Sequence, residues 1–207
     1  MTRFTLRKPL TLASACLLLA ACQSAPPIRY YTLVPAKPGE AVPAADPAYR
    51  VIVEPVSVPA QVDMPYMVVR EGRSQLVPVE AQRWAAPLAD EVRAALIDRF
   101  GTVVAGPGAA ADGSLPLYRL RVALRRFDSV LGRQALVDAA WTVENIATPE
   151  QTVTCDSQVA ASIADGFPAL ADGHQRAVAD LASRISAGLD TLNAGKTDDV
   201  CVAANSR

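Results

Sequence analysis

The clearest periodicity in the chain lies between residues 117 and 163. Leu117, Arg119, Arg121, Ala123, Arg125 and Phe127 alternate with Tyr118, Leu120, Val122, Leu124 and Arg126. The first set is mostly polar and the second mostly apolar, the period-two signature of a half-buried strand. Ala135 to Ile146 and Thr152 to Ile163 continue the pattern, with connections near Gly132 and Thr148-Pro149-Glu150. Together they predict an antiparallel meander with one wetter face. Upstream, Tyr30 to Val34 has the aromatic and β-branched content of a strand. Tyr49 to Val58 is apolar on both faces, as a covered, central strand would be. Met67 to Arg70 and Gln75 to Val79 flank Glu71-Gly72-Arg73-Ser74, which predicts a hairpin.

The period changes from about residue 80. Trp84, Leu88, Val92 and Leu96 lie four apart, with Asp90, Glu91, Arg93 and Asp98 on the opposite side. Pro87 is tolerable only in a first turn, so the helix is expected to begin near Arg83 to Ala86. Phe100-Gly101 ends it, and Thr102 to Val104 reads as a short strand. Val178, Leu181, Ile185, Leu189 and Leu192 form the apolar stripe of a closing helix from about Pro168 to Asn193. Residues 35–48, with Pro35, Pro38, Pro43 and Pro47, read as a loop, and residues 194–207 as a tail. The expected fold is a single α/β domain of α+β character. In it a mixed, largely antiparallel sheet packs against two main helices.

Composition narrows the function. The chain has 207 residues, 51% of them apolar, and a formal net charge of −1. That suffices for one domain with a sizeable core and disfavours a basic-groove nucleic-acid binder. The sole histidine, His174, excludes zinc sites built on several imidazoles. A Ser-His-Asp triad would have to use it, yet no G-x-S-x-G turn is present. Neither a phosphate-binding loop nor a dinucleotide fingerprint occurs. No catalytic residues, metal ligands or cofactors are therefore assigned. His174, four residues from both Leu170 and Val178, reads as a structural histidine beside the buried face of the closing helix.

The amino terminus carries its own signal. Arg3, Arg7 and Lys8 precede an apolar stretch from Leu10 to Ala20. As a helix this stretch would span about 16 Å, too little for a bilayer core of about 30 Å. It therefore reads as a secretory signal. Leu19-Ala20-Ala21-Cys22 resembles a bacterial lipobox. The resemblance implies cleavage before Cys22, diacylglyceryl modification of its thiol and acylation of the new amino group. Gln23 in place of Asp after that cysteine suggests the outer membrane. The divisions are thus a signal peptide (1–21), a lipidated tether (22–29), a domain (30–193) and a tail (194–207). Removing three basic residues and no acidic one takes the mature charge to −4. Cys16 leaves with the signal, so Cys155 and Cys201 face an oxidising compartment. A disulfide between them is the favoured reading, with two unpaired cysteines the alternative.

A family pattern follows from the order of motifs: Tyr30-Tyr31-Thr32-Leu33, Val51 to Pro59, Asp63 to Arg70, and Arg83 to Leu88. With the lipobox, this resembles the ABC-type transport auxiliary lipoproteins of the PqiC/YmbA kind. Met64 departs from it, because a polar or basic residue is expected before that proline. The resemblance implies an outer-membrane lipoprotein facing the periplasm, without enzymatic activity. It would dock the Mce-domain component of an intermembrane lipid transport system, and some members form homo-oligomeric rings. The alternatives are a lipoprotein hydrolase and a scaffold or regulator of envelope assembly. Met64, Pro65, Tyr66, Met67, Arg70 and Arg83 are the candidate partner-binding residues, since flexible methionines suit an adaptable surface. The competing expectation is that this segment folds onto its own core, with Trp84 buried. Arg119, Arg121, Arg125, Arg126 and Arg133 are read as a solvated strand face balanced by acidic helices.

Overall fold

The computed structural model describes residues 26–36, 48–101 and 115–205. The expected signal peptide, Cys22, most of the proline-rich loop and the expected strand Thr102 to Val104 lie outside the described residues. The strands are β1 (Arg29–Tyr31), β2 (Arg50–Val53), β3 (Tyr66–Glu71) and β4 (Gln75–Trp84). They continue as β5 (Leu117–Val130), β6 (Gln134–Asn145) and β7 (Thr152–Ser162). The helices are α1 (Leu88–Phe100), α2 (Phe167–Asn193) and the short α3 (Val200–Asn205).

The architecture is α+β, with mixed strand directions, and the strands divide into two sheets. One has the order β1-β4-β3 and the other β2-β5-β6-β7. β1 runs parallel to β4 and β2 parallel to β5, while the remaining neighbours are antiparallel. Periodicity shows which face of a strand is buried but says nothing about which strands share a ladder. That is why the sequence suggested one sheet. α2 lies across β6 and β7 and touches α1, while β3 packs against β5 and joins the two sheets.

Several boundaries moved for identifiable reasons. Arg83 and Trp84 finish β4 and do not open α1, because Gln82, Arg83 and Trp84 pair with Arg29, Tyr30 and Tyr31. Pro87 becomes the residue before α1, with extended backbone at ψ 139. Proline also disfavours helical geometry at Ala86, so strand and helix cannot merge. Tyr49 to Val58 shrinks to four residues of ladder at Pro55, which has no N–H to give. Beyond it the chain rejoins β5: Ser57 bridges Ala123, and Leu124 N–H reaches Ser57 carbonyl at 2.9 Å.

A bulge corrects the reading of β5. Leu124 pairs with Ala139 and Arg126 with Asp138, so Arg125 is an extra residue. The extra residue shifts the alternation, exposing Arg125 and Arg126 in succession and turning Phe127 inward.

Glu91 also departs from expectation. It is only 5% exposed and does not face solvent with the other charged residues of α1. Its carboxylate accepts hydrogen bonds from Thr32 Oγ1 at 2.8 Å, Leu33 N–H at 2.7 Å and Ala86 N–H at 3.0 Å. It thereby holds together the exit of β1, the exit of β4 and the start of α1. A carboxylate there also complements the positive end of the helix.

The tail is tied down by the favoured bridge and carries a helix beyond the expectation. Cys155 and Cys201 form a disulfide with Cα atoms 5.3 Å apart, bringing α3 against β7. Val200 and Ala204 are fully buried. Asn205 Nδ2 donates to the Asp156 carbonyl at 2.9 Å, and Asn205 Oδ1 accepts from Ser157 Oγ at 3.1 Å. Ser157 Oγ in turn accepts from Trp141 Nε1 at 3.1 Å, so a polar chain runs from core to tail.

Candidate functional site

The first sheet builds the most exposed apolar feature near the amino terminus. Tyr30 of β1, Arg83 of β4 and Tyr66 of β3 are in register across three strands. Residues in such a row share one face of the sheet, and their neighbours Tyr31 and Trp84 share the opposite, inward one. The row exists because β4 carries extra residues: Tyr66 pairs with Arg83, but Met67 pairs with Val79. Residues 80–82 thus bulge out, and Arg83 Nε donates to the Glu80 carbonyl at 3.0 Å.

A groove of about 400 Å³ opens over this row. Tyr30, Asp63, Met64, Pro65, Arg83 and Pro87 are among its lining residues, with Trp84 beneath. Tyr30 is 63% exposed, Ile28 49% and Met64 37%. Three of the five exposed large apolar side chains among the described residues therefore cluster where the chain enters the domain.

The structure disperses the six residues expected to bind a partner. Met64, Pro65 and Arg83 line the groove, and half-buried Tyr66 stands in register beside Arg83. Met67 is 1% exposed and belongs to the core, so it offers no contact surface. The strand begins one residue before it, and the pleat turns its side chain inward. Arg70 is occupied elsewhere, because its guanidinium binds Asp128 of β5 at 2.8 Å. Tyr30 was not among the six; the Tyr30-Tyr31 pair signalled it, since adjacent strand residues face opposite ways.

Asp128 carries a second hydrogen bond from Arg126. Burial alone would raise its pKa, but the hydrogen bonds and charges of Arg70 and Arg126 outweigh this and hold it below the ordinary carboxylate value. Three of the other clustered arginines are also matched, whereas Arg133 is exposed beyond the network. Arg119 meets Glu54 at 3.2 Å and Glu144 at 2.9 Å, Arg121 meets Glu144, and Arg125 binds Asp138 and Asp156, each at 2.6 Å. The balancing acids come from neighbouring strands, not from the helices. This face is therefore a laced ionic surface with no surplus of positive charge.

His174 is fully buried. Its ring stacks on Phe127 at 3.9 Å, and Nε2 lies 2.9 Å from Ser129 Oγ. That spacing matches a nucleophile–base pair. Yet Nδ1 has no hydrogen-bond partner among the described residues, and Ser129 is itself buried. Burial drives the imidazole pKa down to about 3, so the ring is neutral. The pair fills the core and reaches no cleft. Among the described residues no group of three His, Cys, Asp or Glu side chains is placed to hold a metal ion. No described helix is long and apolar enough to cross a membrane.

Comparison with known proteins completes the picture. The family model described as "ABC-type transport auxiliary lipoprotein component" matches residues 31–186. The crystal structure of protein XCC0632 from Xanthomonas campestris, of family DUF330, is similar with a TM-score of 0.59 and 19% identity. That match covers 83% of this chain and 98% of the other. A second crystal structure, of an uncharacterized protein, gives a TM-score of 0.53 at 19% identity, covering 77% and 99%. These two likenesses are of fold. No curated protein matches the sequence.

Proposed function

The chain belongs to the family of ABC-type transport auxiliary lipoprotein components, and from that premise we propose that it is a non-enzymatic tether and docking protein. Acylated at Cys22, it sits on the periplasmic side of the outer membrane and receives the Mce-domain component of an intermembrane lipid transporter. The observation that carries this reading is the family match from residue 31 to residue 186, beginning shortly after the lipobox cysteine.

The role is positional. Acyl chains fix one end of the chain, each buried CH₂ contributing about 0.8 kcal/mol to anchoring. The folded domain then presents its surfaces to the partner at a set distance from the membrane. The sealed Ser129–His174 pair supports a non-enzymatic role over the hydrolase reading, because a nucleophile needs access to substrate.

Purification of the lipidated protein from native membranes tests the partnership. An Mce-domain protein of an ABC transporter is expected to co-purify, and native mass measurement reads whether the chain assembles into a ring. Recovery of cell-wall synthases with no such transporter component overturns the reading. Cys22→Ser is expected to release the protein into the soluble periplasmic fraction. Unchanged membrane fractionation overturns the lipidation site.

A further inference from the structure

We infer that the groove over the Tyr30–Arg83–Tyr66 row rests against the phospholipid surface to which the chain is anchored. The inference deepens the proposed function and rests on acylation at Cys22. Between Cys22 and Arg29 lie seven residue steps, which span at most about 25 Å. A domain of about 180 residues has a radius of gyration of about 16 Å, hence a width nearer 40 Å. A tether shorter than the domain is wide cannot let the domain turn its entry end away from the bilayer. The end at which β1 begins is held within about 25 Å of the lipid, close enough to rest on it.

The chemistry of that end suits the interface. Tyr30 and Met64 are the exposed apolar groups of the groove, Ile28 is exposed two residues before Tyr30, and the charged side chains of the lining are Arg83 and Asp63. Tyrosine favours the headgroup level, where its ring meets hydrocarbon and its hydroxyl meets water. Arginine can reach lipid phosphates while its stem stays on apolar surface. The accessible part of the expected partner surface is thus assigned to lipid, and the transporter component is left the faces away from the tether.

A tryptophan placed in the row supplies the test, because the native indoles are buried: Trp84 packs on Phe127 and His174, and Trp141 lies between β6 and α2. Full-length lipidated Tyr30→Trp protein is reconstituted in vesicles of phosphatidylethanolamine and phosphatidylglycerol, with or without brominated acyl chains. Flotation reads anchoring, and fluorescence reads proximity, since bromine quenches only nearby indoles. Tyr30→Trp protein that floats should lose more emission than wild type in brominated vesicles. Adding Met64→Ser, a second surface change, should weaken that loss without affecting folding. Failure to float refutes the acyl anchor itself. Flotation with unchanged emission overturns the lipid contact alone. A photo-crosslinker at Tyr30 in native membranes should give a lipid adduct. A protein adduct there instead assigns the groove to a protein partner and overturns the inference.

Discussion

Glu91 Oε2 accepts the main-chain N–H of Leu33 at 2.7 Å, joining residues 58 apart in sequence. The same carboxylate serves Thr32 and Ala86, so three separate donors depend on one buried group. Glu91→Ala should therefore destabilise the fold by about 3 kcal/mol, because a hydrogen bond to a charged acceptor is worth about 1.5–3 kcal/mol and the buried Leu33 N–H would be left dry, while Thr32 and Ala86 can turn to water. Urea unfolding measures it, and a loss under about 1 kcal/mol would mean that water replaces the carboxylate.

The disulfide closes a loop with a sequence separation of 46 residues. Loop-closure entropy gives about 4 kcal/mol for such a bridge. Cys155→Ala/Cys201→Ala should lower the unfolding midpoint accordingly, and added reductant should then have no further effect. Equal stability of oxidised and reduced wild-type protein would refute a stabilising role.

Gly188 of α2 lies against the core indole. A Cβ added there would sit 2.7 Å from Trp141 Cη2 and 3.2 Å from Val200 Cγ1. Alanine gains up to about 1 kcal/mol of helix propensity, whereas overpacking costs about 1–3 kcal/mol. Gly188→Ala should thus destabilise on balance and shift the near-ultraviolet dichroism of Trp141. A variant more stable than wild type would show that α2 can move outward freely.

His174 sets a pH dependence of defined sign. Its folded pKa is depressed to about 3, against an ordinary 6.5. The unfolded chain therefore binds a proton between these values that the folded chain does not, and stability falls as pH falls through that window. One proton gives at most about 1.4 kcal/mol per pH unit. His174→Gln should flatten the stability profile between pH 6.5 and 4.5, above the range in which Asp128 titrates. An unchanged slope would place the proton uptake elsewhere.

Much of the fold could be read from residue order. The β5–β7 meander, the α2 stripe and structural His174 follow from period and apolar content, whereas Trp84 is buried as expected but from a strand and not from a helix. The misreadings share a cause, since each turned on a residue added to or withheld from a ladder. Arg125 flips the faces of β5, residues 80–82 carry β4 by a bulge into the stretch expected to open α1, and Pro55 cuts short β2. Buried Glu91 was equally hidden, because its partners are main-chain groups distant in sequence. Of the expected contact surface, Met64, Pro65 and Arg83 met in one groove; Met67 and Arg70 were claimed by the core and by Asp128.

The contact between Asn205 and Asp156 has a consequence for solubility. β7 is an outer strand of eleven residues, and strands of that length at a sheet margin invite pairing with other copies. Asn205 supplies the donor that an intruding strand would otherwise bring, and α3 stands in its path. Chain termination before residue 200 would thus leave a sticky margin as well as a weaker core. The last described residues act as a guard against self-association.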